Sequence, residues 1–155
     1  EPSDLRLAES YNNIALVLRM KGEFEQSLLY NSKARKIREE HFNSEPLPLV
    51  QSFQNIGDCY ECKGEYNKAL NFHRKSAVIR EKHLDKRHPL VATSYHNIGH
   101  CYQQIGEYEL ALEYYKRGAT IRQMALGERH PALASSVLSI GNIYSRESAR
   151  SLIEL

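Results

Sequence analysis

The chain has no tryptophan, only three cysteines, and no surplus of one charge. Lysine and arginine number 21 against 19 aspartates and glutamates, a formal net charge of +2. A balance so close to neutral lacks the one-sign field expected of a protein that binds nucleic acid or an anionic membrane. An odd number of cysteines makes no disulfide framework, which predicts a reducing, cytoplasmic compartment. Nor is there an apolar run near the ~20 residues of a membrane span, so no membrane insertion is expected. No signal peptide precedes the first apolar residues, and a start at Glu1 instead of Met reads as a segment excised from something longer. What the sequence does have is an ordinary globular balance, 41% apolar and 26% charged.

It also has a period. Gly22, Gly64 and Gly106 stand 42 residues apart, and each opens a Gly-Glu-aromatic triplet. The same step links Ile14, Ile56, Ile98 and Ile140, and also Ile37-Arg38, Ile79-Arg80 and Ile121-Arg122. Self-similarity at a fixed period marks a repeat architecture. The copies read as 5–46, 47–88 and 89–130, with a partial fourth copy or capping helix over 131–155.

Within the second copy, Leu49, Val50, Phe53, Ile56, Gly57 and Tyr60 fall on one stripe of a helix with 3.6 residues per turn. Lys63-Gly64-Glu65 breaks the stripe, and glycine there suits a left-handed C-terminal cap. Tyr66, Ala69, Leu70 and Ala77 begin a second stripe that ends near His83. A connection so short forces the two helices to pack antiparallel. Interior glycines at 57, 99 and 141 imply close packing, because glycine weakens a helix by about 0.5–1 kcal/mol against alanine. His88-Pro89 and His130-Pro131 mark new helix starts, proline being favoured in a first turn. Ser3 or Asp4 is the expected cap of the first helix. In the fourth copy Ser148 takes the place of the expected glycine, so the helix from Pro131 is expected to run on toward Leu152, Ile153 and Leu155.

The aromatic–Ile–small–aromatic stripe, the Gly-x-aromatic turn and the Ala-Leu of the second helix together resemble the tetratricopeptide repeat. Its common form spans about 34 residues. The motif Ile-Arg-x-x-x-Leu-Gly-x-x-His-Pro-x-x-Ala, from Ile121 to Ala134, is similar to the 42-residue variety found in kinesin light chains and their relatives. The resemblance implies an all-α, right-handed α-solenoid of antiparallel helix-turn-helix repeats. It further implies a concave groove, lined by the first helix of each pair, that binds an extended or helical peptide without catalysis.

Carried onto this sequence, the groove-facing residues include Asn13, Arg19, Asn55, Asp58, His96, Asn97, His100, Gln104 and Asn142. Asn13, Asn55 and Asn97 recur at the 42-residue step. An amide offers both donor and acceptor, so it can clamp a partner's peptide bond whatever side chain follows. Alternatively, each asparagine ties its own helix to the next. Arg19, His96, His100 and Gln104 are the expected selectors of side chains. Other polar groove positions include Asn12, Gln54 and Gln103. Arg38, Arg80 and Arg122 are expected to complement the dipoles at second-helix ends; the other reading is a basic strip for an acidic partner.

No chemistry emerges. Cys59-Tyr60-Glu61-Cys62 is a Cys-x-x-Cys inside a helix, without the second pair a zinc site needs. His96 and His100 share a helix face, but no carboxylate or fourth ligand accompanies them. There is no paired-carboxylate motif and no glycine-rich phosphate loop. The expectation is a non-enzymatic scaffold or adaptor with no cofactor and no metal, binding a protein or peptide partner. The alternative is a structural module that self-associates through its terminal helices.

Overall fold

The computed structural model describes residues 2–153, with side chains from Asp4 to Arg146 and Ser148. Among the described residues there are seven helices and no strand: α1 (Pro2–Met20), α2 (Phe24–Glu40), α3 (Leu47–Cys62), α4 (Tyr66–His83), α5 (Pro89–Ile105), α6 (Tyr108–Leu126) and α7 (Pro131–Ile153). Residues up to His83 cluster into one compact unit, and those from Leu84 onward into a second. In the first, α1 packs on α2, α2 on α3, and α3 on α4. In the second, α5 packs on α6, and α6 on α7.

The Gly-Glu-aromatic triplet makes the hairpins. Gly22, Gly64 and Gly106 have φ of 80°, 74° and 96°, left-handed values that a side chain resists. Glu23 N–H then donates to the Leu18 carbonyl, and Glu65 N–H to that of Tyr60, both at 2.9 Å, closing Schellman caps. The carbonyl of each triplet glutamate accepts the first hydrogen bond of the next helix: Ser27, Ala69 and Ala111 N–H donate to Glu23, Glu65 and Glu107 at 3.0–3.1 Å. One helix therefore starts two residues after the last has been capped.

Small residues hold the hairpins close. Ser27, Ala69 and Ala111 are fully buried at one repeat position. A Cβ on Gly57 would come within 2.6 Å of the His73 ring, and one on Gly99 within 2.9 Å of Tyr115. Each hairpin carries an aromatic pair between its helices: Tyr11–Tyr30, Phe53–Phe72 and Tyr95–Tyr114, with centroids 5.8, 6.2 and 5.9 Å apart. A cation covers each pair. Lys33 lies 4.9 Å over Tyr30, Lys75 lies 5.2 Å over Phe72, and Arg117 lies 5.7 Å over Tyr114.

The His-Pro junctions act as caps. Leu90 N–H donates to His88 Nδ1, and Ala132 N–H to His130 Nδ1, both at 3.1 Å. At the N-terminus the helix already begins at Pro2, so neither Ser3 nor Asp4 is its cap; Asp4 lies in the first turn, where a carboxylate complements the dipole. α7 runs without a break past Ser148 to Ile153. The expected Leu152–Leu155 contact surface lies outside the described side chains.

The repeat stripe does not stay buried at both ends. Ile56 and Ile98 are 3% and 2% exposed, while Ile14 is 41% exposed. Tyr144 is 47% exposed against 8% for Tyr102, its counterpart one repeat earlier. Gly141 has nothing within 4 Å of a built Cβ, so the packing reason that holds for Gly57 and Gly99 does not apply to it.

Candidate binding surface on the first helices

Between α1 and α3 lies a cavity of about 470 Å³. Asn13 and Asn55, one repeat apart, line it together with Arg6, Glu9, Gln51 and Glu45. Leu5, Leu16 and Pro48 supply its apolar wall, and Asn12 and Arg38 its buried polar lining. Asn13 is exposed. Asn55 is half-buried and its Oδ1 accepts from Gln51 Nε2 at 2.8 Å, a bond within its own helix. That bond leaves the Asn55 amide donors directed elsewhere. Arg6 and Arg38 balance Glu9 and Glu45 in the lining, so the cavity has no single sign of charge.

A second polar cluster sits at the other end of α1 and α3. Arg19 Nη1 lies 3.7 Å from Cys62 Sγ. Asp58 is half-buried, and burial raises its carboxyl above the usual range, opposed by the nearby His73 and Arg19 and reinforced by Glu61. His73 Nε2 is 3.1 Å from Glu61 and 4.0 Å from Asp58. One repeat later the same two positions are Tyr115 and Gln103, joined by a Tyr115 O–H donation of 2.8 Å.

In the second unit Asn97 and His100 are half-buried and Asn142 is exposed on α7. Gln104 and His100 approach to 3.3 Å across one helical turn. His96 rests on the Tyr115 ring at 5.1 Å, half-buried, so part of its surface is committed to packing.

Three polar positions expected in the groove serve the fold. Asn12 accepts from the Arg38 guanidinium with its amide oxygen. Gln54 accepts from Arg80 Nη2 at 2.7 Å, and Gln103 is the tyrosine partner just described. The arginines themselves need correction. Arg38, Arg80 and Arg122 are 7%, 5% and 7% exposed, too buried to form a basic strip and not merely dipole partners. Arg38 Nη1 donates to Ser52 Oγ at 2.9 Å, and Arg122 Nη1 to Ser136 Oγ at 2.7 Å and to the Ala132 carbonyl at 2.9 Å. Arg38 and Arg122 each stitch a second helix to the first helix of the next copy, whereas Arg80 bonds within its own copy. Burial lowers the pKa of all three guanidinium groups, yet they stay charged because an arginine starts so high. The signal was present in the sequence: Ser10, Ser52, Ser94 and Ser136 recur at the same 42-residue step.

The Cys-x-x-Cys divides in two. Cys59 is buried, aims its sulfur at the Phe24 carbonyl at 3.4 Å, and is pushed up in pKa by burial. Cys62 is exposed. A buried protonated thiol is inert, so this pair is not built for thiol exchange.

Models of the tetratricopeptide repeat match residues 47–124 and residues 7–46. No curated protein matches the chain. Among solved structures, a candidate kinesin light chain of Podosopora anserina with nearly identical TPR-like repeats has a TM-score of 0.81 and 21% identity, covering 94% of this chain and 68% of that one. BtubC (BKLC) from P. vanneervenii has a TM-score of 0.83 and 22% identity over 93% of this chain and 57% of its own. Aspartyl phosphate phosphatase F from Bacillus subtilis has a TM-score of 0.80 and 21% identity over 95% and 37%. At these identities the likeness establishes the fold, an all-α repeat solenoid. The chain spans between 37% and 68% of the length of these three neighbours.

Proposed function

The chain belongs to the tetratricopeptide repeat family, whose arrays are generally non-catalytic interaction scaffolds, and we propose that this one takes a peptide segment of a protein partner on the exposed faces of its first helices. The observation that carries the reading is the α1–α3 cavity, in which Asn13 and Asn55 stand one repeat apart beside an apolar wall. Asn13, Arg19, Asn55 and Asp58 contact the peptide in the first unit. His96, Asn97, His100, Gln104 and Asn142 do so in the second. The asparagine amides hold the peptide backbone, and the cationic, acidic and imidazole groups select among side chains. The rim of mixed charge favours a neutral or mixed peptide over a strongly acidic one, and it does not suit the clustered phosphates of nucleic acid. In this reading residues 1–155 serve as one adaptor array with no catalysis, cofactor or metal. Three free cysteines, two of them buried, fit a reducing cytoplasmic setting. No helix among the described residues is long and apolar enough to cross a membrane.

The test is a peptide display library panned against the chain, with an Asn13→Ala/Asn55→Ala/Asn97→Ala variant alongside. A shared motif is expected to enrich. Each lost amide contact removes about 1 kcal/mol, so the variant should bind the motif on the order of a hundredfold more weakly while melting as before. Equal binding by the variant contradicts the asparagine clamp.

A second reading, self-association through the repeat ends, draws on Leu7, Ile14 and Val17 of α1 and Val137, Leu138 and Tyr144 of α7. All six are 41–67% exposed. A light-scattering mass that rises with concentration would favour it over peptide binding by the monomer.

A further inference from the structure

Asn13, Asn55 and Asn97 share one repeat position, but the residue four places before each differs: Glu9, Gln51 and Thr93. Four residues make about one helical turn, so that neighbour stands beside the amide on the same face. What it can do there depends on its donors. Glu9, as a carboxylate, only accepts. Thr93 spends its one proton on the Pro89 carbonyl at 3.2 Å. Gln51 has a donor to give, and its Nε2 donates to Asn55 Oδ1 at 2.8 Å.

That bond makes Asn55 unlike Asn13. A carboxamide has nearly the same outline either way round, so a free one can turn over and present its oxygen or its NH2. Turning Asn55 over by itself would break the bond to Gln51. Its oxygen is thus engaged, while among the described residues neither of its N–H donors has a partner. Gln51 and Asn55 both line the α1–α3 cavity, and Asn55 is half-buried there. Asn13 lines the same cavity, is exposed, and has beside it a residue that cannot donate to its oxygen.

We propose that Gln51 is a positioning residue, which sets Asn55 to donate to a backbone carbonyl of the peptide, whereas Asn13 engages both the carbonyl and the N–H of the residue it meets. Gln51 has this role only if the α1–α3 cavity takes a peptide, as proposed above. Its consequence is selectivity. The residue over Asn55 needs no N–H, so the site admits proline or another N-alkylated residue there. The residue over Asn13 must keep its N–H. The segment that fits is one that can place proline over α3 but not over α1.

The full chain and a peptide enriched from the display library test this. In the free chain, NMR exchange rates should be slower for the Gln51 side-chain amide, the donor, than for that of Asn55. The opposite order would mean that the pair is turned the other way, and would overturn the proposal. A series of the peptide N-methylated at one residue at a time is then titrated. The residue with nuclear Overhauser contacts to the Asn55 amide should tolerate the methyl group, while the one over Asn13 should lose about fivefold, the size of one hydrogen bond. Gln51→Glu puts an acceptor in place of the donor at an exposed position, so Asn55 should turn its NH2 to the carboxylate and its oxygen to the peptide. The methylation tolerated by the wild type should then cost about fivefold, with the unmethylated peptide still bound and the melting curve unmoved. A methylation profile identical in the wild type and Gln51→Glu overturns the role of Gln51 alone. If Asn55→Ala binds every peptide as the wild type does, the peptide reading of the cavity falls with it.

Discussion

Replacing Arg38 or Arg122 with methionine is expected to destabilise the chain by about 2–3 kcal/mol, among the largest single-residue effects it can show. Burial alone argues the other way, since it lowers the pKa of both groups and taking the charge away relieves that cost. The partners decide the sign. Without Arg38, the Ser52 hydroxyl and the Asn12 amide are left 0% and 6% exposed with no cation to accept from. Each such group costs about 1–3 kcal/mol when left unsatisfied, which exceeds the relief. Lysine should rescue only in part, because its three donors radiate from one nitrogen and lack the rigid planar spread of a guanidinium. The Arg122→Met/Ser136→Ala double variant should be about 1 kcal/mol less damaged than the sum of its parts. Arg117→Met is the surface control. Its partner Glu113 is an exposed neighbour one turn away, and the loss should stay within about 0.5 kcal/mol. Urea melts followed by circular dichroism measure each of these variants.

Glycines in one repeat register should respond with opposite signs. Gly99→Val is expected to cost about 2–3 kcal/mol by overpacking. Its Cβ alone would fall 2.9 Å from Tyr115 and 3.2 Å from the Ala111 carbonyl oxygen, and Tyr115 cannot retreat: it is 1% exposed and its hydroxyl is held by Gln103. Gly141→Ala is expected to stabilise by about 0.5–1 kcal/mol, because it removes the helix penalty of glycine and its Cβ meets nothing within 4 Å. Thermal melts of the two variants separate the outcomes by sign. If both were destabilising to the same degree, glycine would be serving the helix backbone at this register and not the approach of a second helix.

The contrast between Gly99 and Gly141 shows where a sequence reading stops. Helix starts and stops were legible to within a residue or two, because each depends on local chemistry: a left-handed glycine at 22, 64 and 106, or a histidine and proline at 88–89 and 130–131. Periodicity also places a residue at an angle around its helix. It does not say whether a neighbour occupies that angle, so Ile14 reads like Ile56 and Tyr144 reads like Tyr102, although the structure buries only the second of each pair. The same limit governs the candidate site. Asn13 and Asn55 do line a common cavity, but Asn12 and Gln54, close by on the same helices, turn to the guanidinium groups of Arg38 and Arg80. A polar residue on a first helix can face solvent or a buried partner, and spacing alone treats the two alike. The serine series at 10, 52, 94 and 136 held the missing information. A hydroxyl that returns on a packed face implies a buried donor, and at Ser52 and Ser136 the recurring arginine is that donor.

The most direct test of peptide binding on the first helices is an NMR titration of the full chain with an enriched display peptide, read on the side-chain amides of Asn13 and Asn55. Both amide pairs should shift together and saturate at one peptide per chain, with Leu16 in the same cavity shifting alongside. Shifts confined to exposed second-helix residues such as Leu29, Val78 and Met124, with the asparagine amides unmoved, would contradict the account.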